Sequence, residues 1–170
     1  AGTLKRIDYS LIKGGGITEA DQWRITAEKS VSSSGSDITA NWERNDTNFD
    51  KIGTGMSESS GIFSFASTGI YLIMVNVSYK SQSADSRYFE FKLQATTDNS
   101  SYSAIAVALD SIKYIDSSTY GNFGVSAIFD VTNTTTHKVK FTVESQNATI
   151  MSASSSINYN DFTFLRLGDT

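Results

Sequence analysis

The chain has 170 residues, no Cys, no Pro and a single His, with a formal charge of -4 and only 19% charged residues. That length suffices for one domain with a sizeable core. The lack of Cys excludes disulfides, thiol catalysis and thiolate metal sites. The acidic balance, with Arg and Lys scattered, leaves no electrostatic case for nucleic acid or an anionic membrane surface, and no run approaches a membrane span. Polarity rests on Ser, Thr and Asn, while ten Phe and eight Tyr supply apolar bulk. Without proline, edge strands need protection by closure, bulges or subunit contact.

Residues 1–16 stand apart. Ala1-Gly2 reads as a start from which an initiator Met has been removed. Leu4, Ile7, Tyr9, Leu11 and Ile12 are apolar points in a locally basic stretch that carries Lys5, Arg6 and Lys13. Gly14-Gly15-Gly16 then interrupts any regular structure, since three glycines hold one only at high entropic cost. This reads either as a frayed tail or, because five apolar side chains are many for a tail with nothing to touch, as an arm that orders on a partner, for instance by strand addition to a free sheet edge. The remaining residues, 17–170, read as one domain.

Thr18 to Asp21 could start one helical turn. Residues 22–27 read as the first strand, with Trp23 and Ile25 inward and Arg24 and Thr26 outward. A Ser/Gly loop follows over 31–37, then a short strand or turn around Trp42. Phe49 and Ile52 read as core or rim anchors. Residues 61–79, GIFSFASTGIYLIMVNVSY, form the longest apolar stretch. They read as a hairpin of two strands, 62–66 and 70–79, broken by Ser67-Thr68-Gly69. The second strand places Tyr71, Ile73, Val75, Val77 and Tyr79 on one face, and Ile70, Leu72 and Met74 begin the other. A strand apolar on both faces needs two covers: a core, and a second layer or subunit.

Residues 87–96 alternate with Phe89, Phe91, Leu93 and Ala95 inward. Residues 102–113 set Ile105, Val107 and Leu109 against alanines at 104, 106 and 108, a small-residue face suited to close cover. Residues 122–131 turn Phe123, Val125, Ala127, Phe129 and Val131 inward, and 138–144 do the same with Val139, Phe141 and Val143. A short strand or bulge at 148–152 and a closing strand at 159–167 complete the chain. About nine or ten short strands, spaced about 10–15 residues apart with no long helix, indicate an antiparallel all-β sandwich or barrel.

Gly61, Phe63, Gly69 and Tyr71 match the G-x-F-x-x-x-x-x-G-x-Y entry to a long strand in the C1q/tumour-necrosis-factor superfamily, which the chain resembles over roughly residues 22–167. Phe162-Thr163-Phe164-Leu165-Arg166-Leu167 resembles the family's closing strand. Where the family has L-x-x-G-D-x-V, this chain has no Gly-Asp between Val131 and Val139. The resemblance implies an antiparallel jelly-roll sandwich of about ten strands that packs as a trimer around an axis lined by one sheet. Segments such as DQWRIT, NWERND and FDKIGTGMSESSGIFSF also resemble structural proteins of tailed bacteriophages, particularly those infecting marine cyanobacteria. That resemblance implies a virion protein.

No constellation carries chemistry. His137 follows three threonines and has no partner defined by spacing, and no G-x-S-x-G elbow occurs. Asp46, Asp50 and Glu58 lack a calcium-loop pattern. Gly53-Thr54-Gly55 lacks the Gly-Lys-Ser/Thr of a phosphate loop. No catalytic residue, cofactor or metal is expected. Tyrosines are enriched at interfaces, so Tyr88, Tyr102, Tyr114, Tyr120 and Tyr159 join Leu72, Met74 and the alanine face of 104–108 as candidates for a trimer interface. Sugar stacking is the alternative use of such tyrosines. The expected function is that of a non-enzymatic capsid decoration or cement protein. It would bind the major capsid protein on the head exterior as a homotrimer, anchored by the arm. The alternative is the receptor-binding tip of a tail fibre, whose partner would be a host glycan.

Overall fold

Period-two alternation dictates strands, and among the described residues strands are the only extended elements. The computed structural model describes residues 16–170. The arm contacts expected at Leu4, Ile7, Tyr9, Leu11 and Ile12 lie outside the described residues. In chain order the strands are β1 (Ala20–Ile25), β2 (Lys29–Val31), β3 (Ser36–Asp37), β4 (Trp42–Arg44), β5 (Lys51–Ile52), β6 (Ser57–Ser59) and β7 (Ile62–Ser64). They continue as β8 (Gly69–Ser81), β9 (Ser86–Thr96), β10 (Ser103–Ile112), β11 (Tyr120–Val131), β12 (Lys138–Ser145), β13 (Thr149–Met151) and β14 (Asp161–Gly168).

They form two antiparallel sheets. The larger runs β11-β8-β14-β1-β4, with β13 and β2 continuing beside the far end of β8 and β5 beside β1. The smaller runs β10-β9-β12-β7-β6, with β3 also on β12. β8 holds the larger sheet together. Its residues from Gly69 to Lys80 pair with β11 along one edge, while β14 and β13 share the other.

The core is an aromatic interlock between the sheets. Phe162 and Phe164 of the larger sheet meet Phe141 and Phe63 of the smaller, with ring centroids 4.8 Å apart for Phe141–Phe162 and 5.3 Å for Phe63–Phe164. Trp42 stands edge-on to both Phe63 and Phe162, at 4.8 and 4.5 Å, and donates its indole N–H to the Ile38 carbonyl at 2.9 Å. Such pairs add to the area they bury. Tyr71, Ile73, Val75, Val77 and Tyr79 are all buried, as the alternation of β8 requires.

Several expectations fail for non-local reasons. The 61–79 stretch is not a hairpin: β7 lies in the smaller sheet and β8 in the larger. The link between them crosses the sandwich, fixed where the Tyr71 hydroxyl donates to the Ser67 carbonyl at 3.0 Å. Gly61, at φ +83, turns before β7 so close to the chain that a Cβ would sit 2.2 Å from the Ile38 carbonyl. Residues 18–21 form no helical turn, because β1 begins at Ala20 against Leu165. Phe49 and Ile52 are exposed, which excludes the core half of their expected place. Arg24 turns outward as expected but is fully buried there, under the loop that carries Ser155. On β10 Ala106 and Ala108 turn toward the interior, Ala104 is exposed, and Ile105, Val107 and Leu109 turn out. A register shift between Ala104 and Ala106 accompanies this setting, where β10 runs close beside β11.

Two ion pairs, each with one buried member, tie β1 to β4. Asp21 accepts from Arg44 Nε at 2.9 Å, from the Trp23 indole at 2.9 Å and from the Met56 amide at 2.7 Å. Arg24 Nε donates to Glu43 at 2.7 Å. Removing one partner of a buried pair strands the other charge. Asp21→Ala should therefore lose about 3–5 kcal/mol in denaturant unfolding, whereas exposed Asp46→Ala should stay within about 0.5 kcal/mol of the parent.

Candidate functional site

The two outward faces of the sandwich differ in chemistry. That of the smaller sheet is charged and self-paired across β9 and β12 and apolar along its β10 edge. Lys140 reaches Asp37 at 2.8 Å and lies 4.8 Å from the Tyr102 ring centroid. Lys92 reaches Glu90, and the Tyr88 hydroxyl donates to Glu144 at 2.9 Å. That hydrogen bond raises the Tyr88 pKa, and partial burial is the main cause that raises that of Tyr102.

The outward face of the larger sheet is graded along the strands. Register places Ile128, Leu72 and Leu165 in one cross-strand row, then Ser126, Met74 and Thr163, then Gly124, Asn76 and Asp161, then Asn122 beside Ser78. One end is aliphatic and the other is rich in amides. Ile128 is 66% exposed and Leu167, at the aliphatic end, is also exposed. The short side chains at 124 and 126 leave a trough beside Met74 and Asn76 of about 260 Å³. At the amide end a second hollow, of about 410 Å³, is lined mostly by polar residues, among them Asn76, Asn122, Asn158 and Asp161, with Tyr159 at its side and Val77 and Phe123 also bordering it.

The flank where the sheets meet is open. Among the described residues β10 pairs only with β9 and β11 only with β8, so two long strands present edges side by side that no described strand pairs. Unprotected edges of this length invite pairing or cover by another chain. β10 adds a strip of Ile105, Val107 and Leu109, the last 63% exposed. Tyr79 anchors this flank: its hydroxyl donates to Asp110 of β10 at 3.0 Å, and its ring stacks on Phe89 at 4.3 Å.

The proposed interface residues do not form one surface. Leu72, Met74 and Tyr120 share the outward face of the larger sheet, and Tyr159 stands over its amide end. Tyr88 and Tyr102 lie on the opposite face, engaged with Glu144 and Lys140. Tyr114 sits in the loop between β10 and β11, its amide donating to Asp85 at 2.7 Å. The strip on β10 and Ile128 on β11 were missed as surface residues. The exchange of large for small residues along 104–109 was the available signal, read with the faces reversed.

No group of three or more His, Cys, Asp or Glu side chains gathers to hold a metal among the described residues. His137 is buried before β12, its two ring nitrogens each 3.1 Å from a hydroxyl, of Thr132 and Thr136. Both ring nitrogens therefore have a hydroxyl within hydrogen-bond distance. No helix is long and apolar enough to cross a membrane among the described residues.

No family model matches the chain, and no curated protein matches it in sequence. Solved structures do. Eiger TNF from S. frugiperda superposes with a TM-score of 0.65 at 12% identity, covering 89% of this chain and 93% of that one. Murine APRIL at pH 5.0 gives 0.63 at 13%, covering 88% and 98%. The vertex protein P5 of phage PRD1 gives 0.54 at 15%, covering 91% and 100%. The fold is therefore a TNF-like antiparallel jelly roll. At these identities the likeness extends to the fold alone.

The anchoring of the flank by Tyr79 has a pH signature. Burial, and then the hydrogen bond to the Asp110 carboxylate, push the Tyr79 phenol well above its ordinary value of 10.0. The folded state favours the neutral phenol, so this contribution is whole below pH 10.0 and fades as the pH rises beyond it. Tyr79→Phe should cost about 1 kcal/mol at neutral pH. Its stability deficit should narrow above pH 10.0 when urea titrations of the two proteins are compared at each pH.

Proposed function

We propose that the chain is a structural, non-enzymatic virion protein that assembles as a homotrimer and decorates the phage head. The observation that carries the assembly is the placement of apolar surface. Leu72, Met74, Leu165 and Ile128 lie on an outward sheet face, beside a flank of free edges bearing Ile105, Val107 and Leu109. Laying the β10–β11 flank of one copy onto the larger sheet of the next buries both surfaces and protects both edges. Repeated three times, this heterologous contact closes into a ring. The likeness in fold to a phage vertex protein and the resemblance of sequence segments to tailed-phage structural proteins support the virion setting.

The chain enters the domain beside the aliphatic end. Gly16 and Thr18 border a hollow with Arg166, Leu167 and Gly168, and Arg166 Nη1 donates to the Thr18 hydroxyl at 3.2 Å. In a threefold arrangement all three arms leave from one end of the trimer. Each arm offers five apolar side chains to the major capsid protein, and three weak contacts on one rigid body add by avidity. The second reading, a receptor-binding tip of a tail fibre, draws on the amide-lined hollow at the opposite end of the same face.

Sedimentation equilibrium of the full chain should return the mass of three copies. Leu109→Lys or Ile128→Lys should yield a folded monomer with unchanged far-ultraviolet circular dichroism, while Asp46→Lys, exposed after β4 at the far edge of the larger sheet, should leave the trimer intact. A monomeric parent protein would sink the assembly. For location, quantitative mass spectrometry of virions separated into heads and tails should find many copies tracking the heads; a few copies tracking the tails would transfer the function to a fibre tip. Deleting residues 1–16 should leave a folded trimer that no longer binds heads, and retained binding would overturn the arm's role.

A further inference from the structure

The amide-lined hollow on the larger sheet is a built feature. Its outer wall is the loop between β13 and β14, which is pinned to the sheet at several points. The Ser154 amide donates to the Ile25 carbonyl at 3.3 Å, and Arg24 Nη2 donates to the Ser155 carbonyl at 2.6 Å. Asn158 Nδ2 donates to Gln22 at 2.9 Å, and Asn160 accepts from the Ser78 amide at 2.8 Å while donating to the Ser152 carbonyl. The fully buried Arg24 thus braces from behind the loop that carries Asn158 and Tyr159. A wall held in this way loses little entropy when a ligand meets it.

The floor is equally specific. Asn76 Nδ2 donates to both oxygens of Asp161, at 2.9 and 3.2 Å, which fixes the amide and leaves its carbonyl oxygen turned toward Gly124. A Cβ at Gly124 would approach that oxygen to 3.3 Å. Gly124 has no left-handed φ, so its lack of a side chain serves space rather than backbone geometry. Asn122 and Ser78 extend the polar floor, and the Tyr159 ring, 45% exposed, forms one side.

The lining selects a ligand class by elimination. Among the described residues no Lys, Arg or His borders the hollow, so its walls offer an anion no countercharge. Its one carboxylate is already engaged by Asn76, which is too little for a divalent cation. The walls are too polar for an apolar ligand. What remains is a neutral polyol. Planar amides offer donors and acceptors together, matching hydroxyls that both give and accept, and an aromatic ring covers a face of C–H groups. We propose that this hollow is a binding site for a neutral saccharide, with Tyr159 as the stacking surface and Asn76, Asn122 and Asn158 as the groups that read its hydroxyls. The site does not depend on whether the chain sits on head or tail, nor on its oligomeric state.

The test is a titration of the ¹⁵N-labelled full chain, in separate runs, with glucose, galactose, mannose, N-acetylglucosamine, lactose and maltose. At least one sugar should shift the backbone amide signals of Asn122, Gly124, Asn158 and Tyr159, with a dissociation constant of about 1 mM. Gly124→Val, which fills the hollow, and Tyr159→Ala, which removes the ring, should each weaken that binding about tenfold or more. Circular dichroism checks that both variants fold. The proposal is overturned if no sugar in the panel shifts these signals, or if the shifts survive both substitutions. Asn122→Lys separates a competing use of the hollow: loss of trimer mass in this variant, with no sugar response in the parent, assigns the hollow to subunit contact. Sugar shifts that persist in a monomeric Leu109→Lys variant would retain the site even where the assembly is disrupted.

Discussion

β8 is the constraint on which the rest depends. It is paired along both edges, so neither edge is available to another chain. Its inward side chains, from Tyr71 to Tyr79, meet the aromatic interlock, and a one-residue slip would drive that whole set to the surface. The register of β11 and β14 is therefore fixed by what β8 buries. Fixing that register fixes the outward rows as well. The aliphatic row through Leu72 and the amide row through Asn76 are consequences of where Ile73 and Val75 must go.

The buried charges act at the next level. Asp21 and Arg24 are neighbours in β1 but not side by side in the sheet: Asp21 turns toward the interior and Arg24 toward the outer side. Asp21 gathers Arg44, Trp23 and Met56, closing the corner where β4 and the 53–56 loop meet the sandwich. Arg24 gathers Glu43, Asn45 and Ser155, carrying the 152–160 loop over the outer face. Buried ion pairs are poor sources of net stability, and their better-attested use is to specify an arrangement. Here each specifies where an irregular segment sits, which apolar packing alone would leave loose.

Alternation made much of the fold legible. The inward faces of β8, β9, β11 and β12 follow from period-two patterning, because each has one face in the core and the pattern is local. What was illegible is non-local. Nothing between Phe65 and Gly69 says that the chain changes sheets rather than turning back, since a short polar break serves either purpose. Arg24 in an alternating strand reads as outward, and only the distant loop at Ser155 makes outward a buried position. On β10 the usual inference, large residues in and small residues out, is reversed between 105 and 109, where β11 lies close beside the strand. The site was less legible still. Tyr88 and Tyr120 look equivalent in sequence, yet one is engaged by Glu144 across a charged face and the other stands at the amide end of the opposite sheet.

The same β10 reversal bears on why this surface exists. A monomer gains nothing by placing Ile105, Val107 and Leu109 outward on an edge strand while alanines fill the interior. Isolated exposed apolar residues need no explanation, but a continuous strip beside unpaired backbone does. Proline, a common way to blunt an edge, is absent from the chain. Register shifts between Ala104 and Ala106 and between Asp110 and Ile112 disturb β10, but the strand between them stays regular. Neither device closes the β11 edge, whose pairing with β8 runs without interruption from Tyr120 to Val131. In the proposed trimer, cover by a second copy would resolve the strip and the edges with one contact, drawing only on the aliphatic end of the graded face. The amide end is too polar to repay burial against an apolar partner, since each unpaired amide would cost about 1–3 kcal/mol. The gradient along β8 thus divides one sheet face into a part suited to assembly and a part suited to remaining wet.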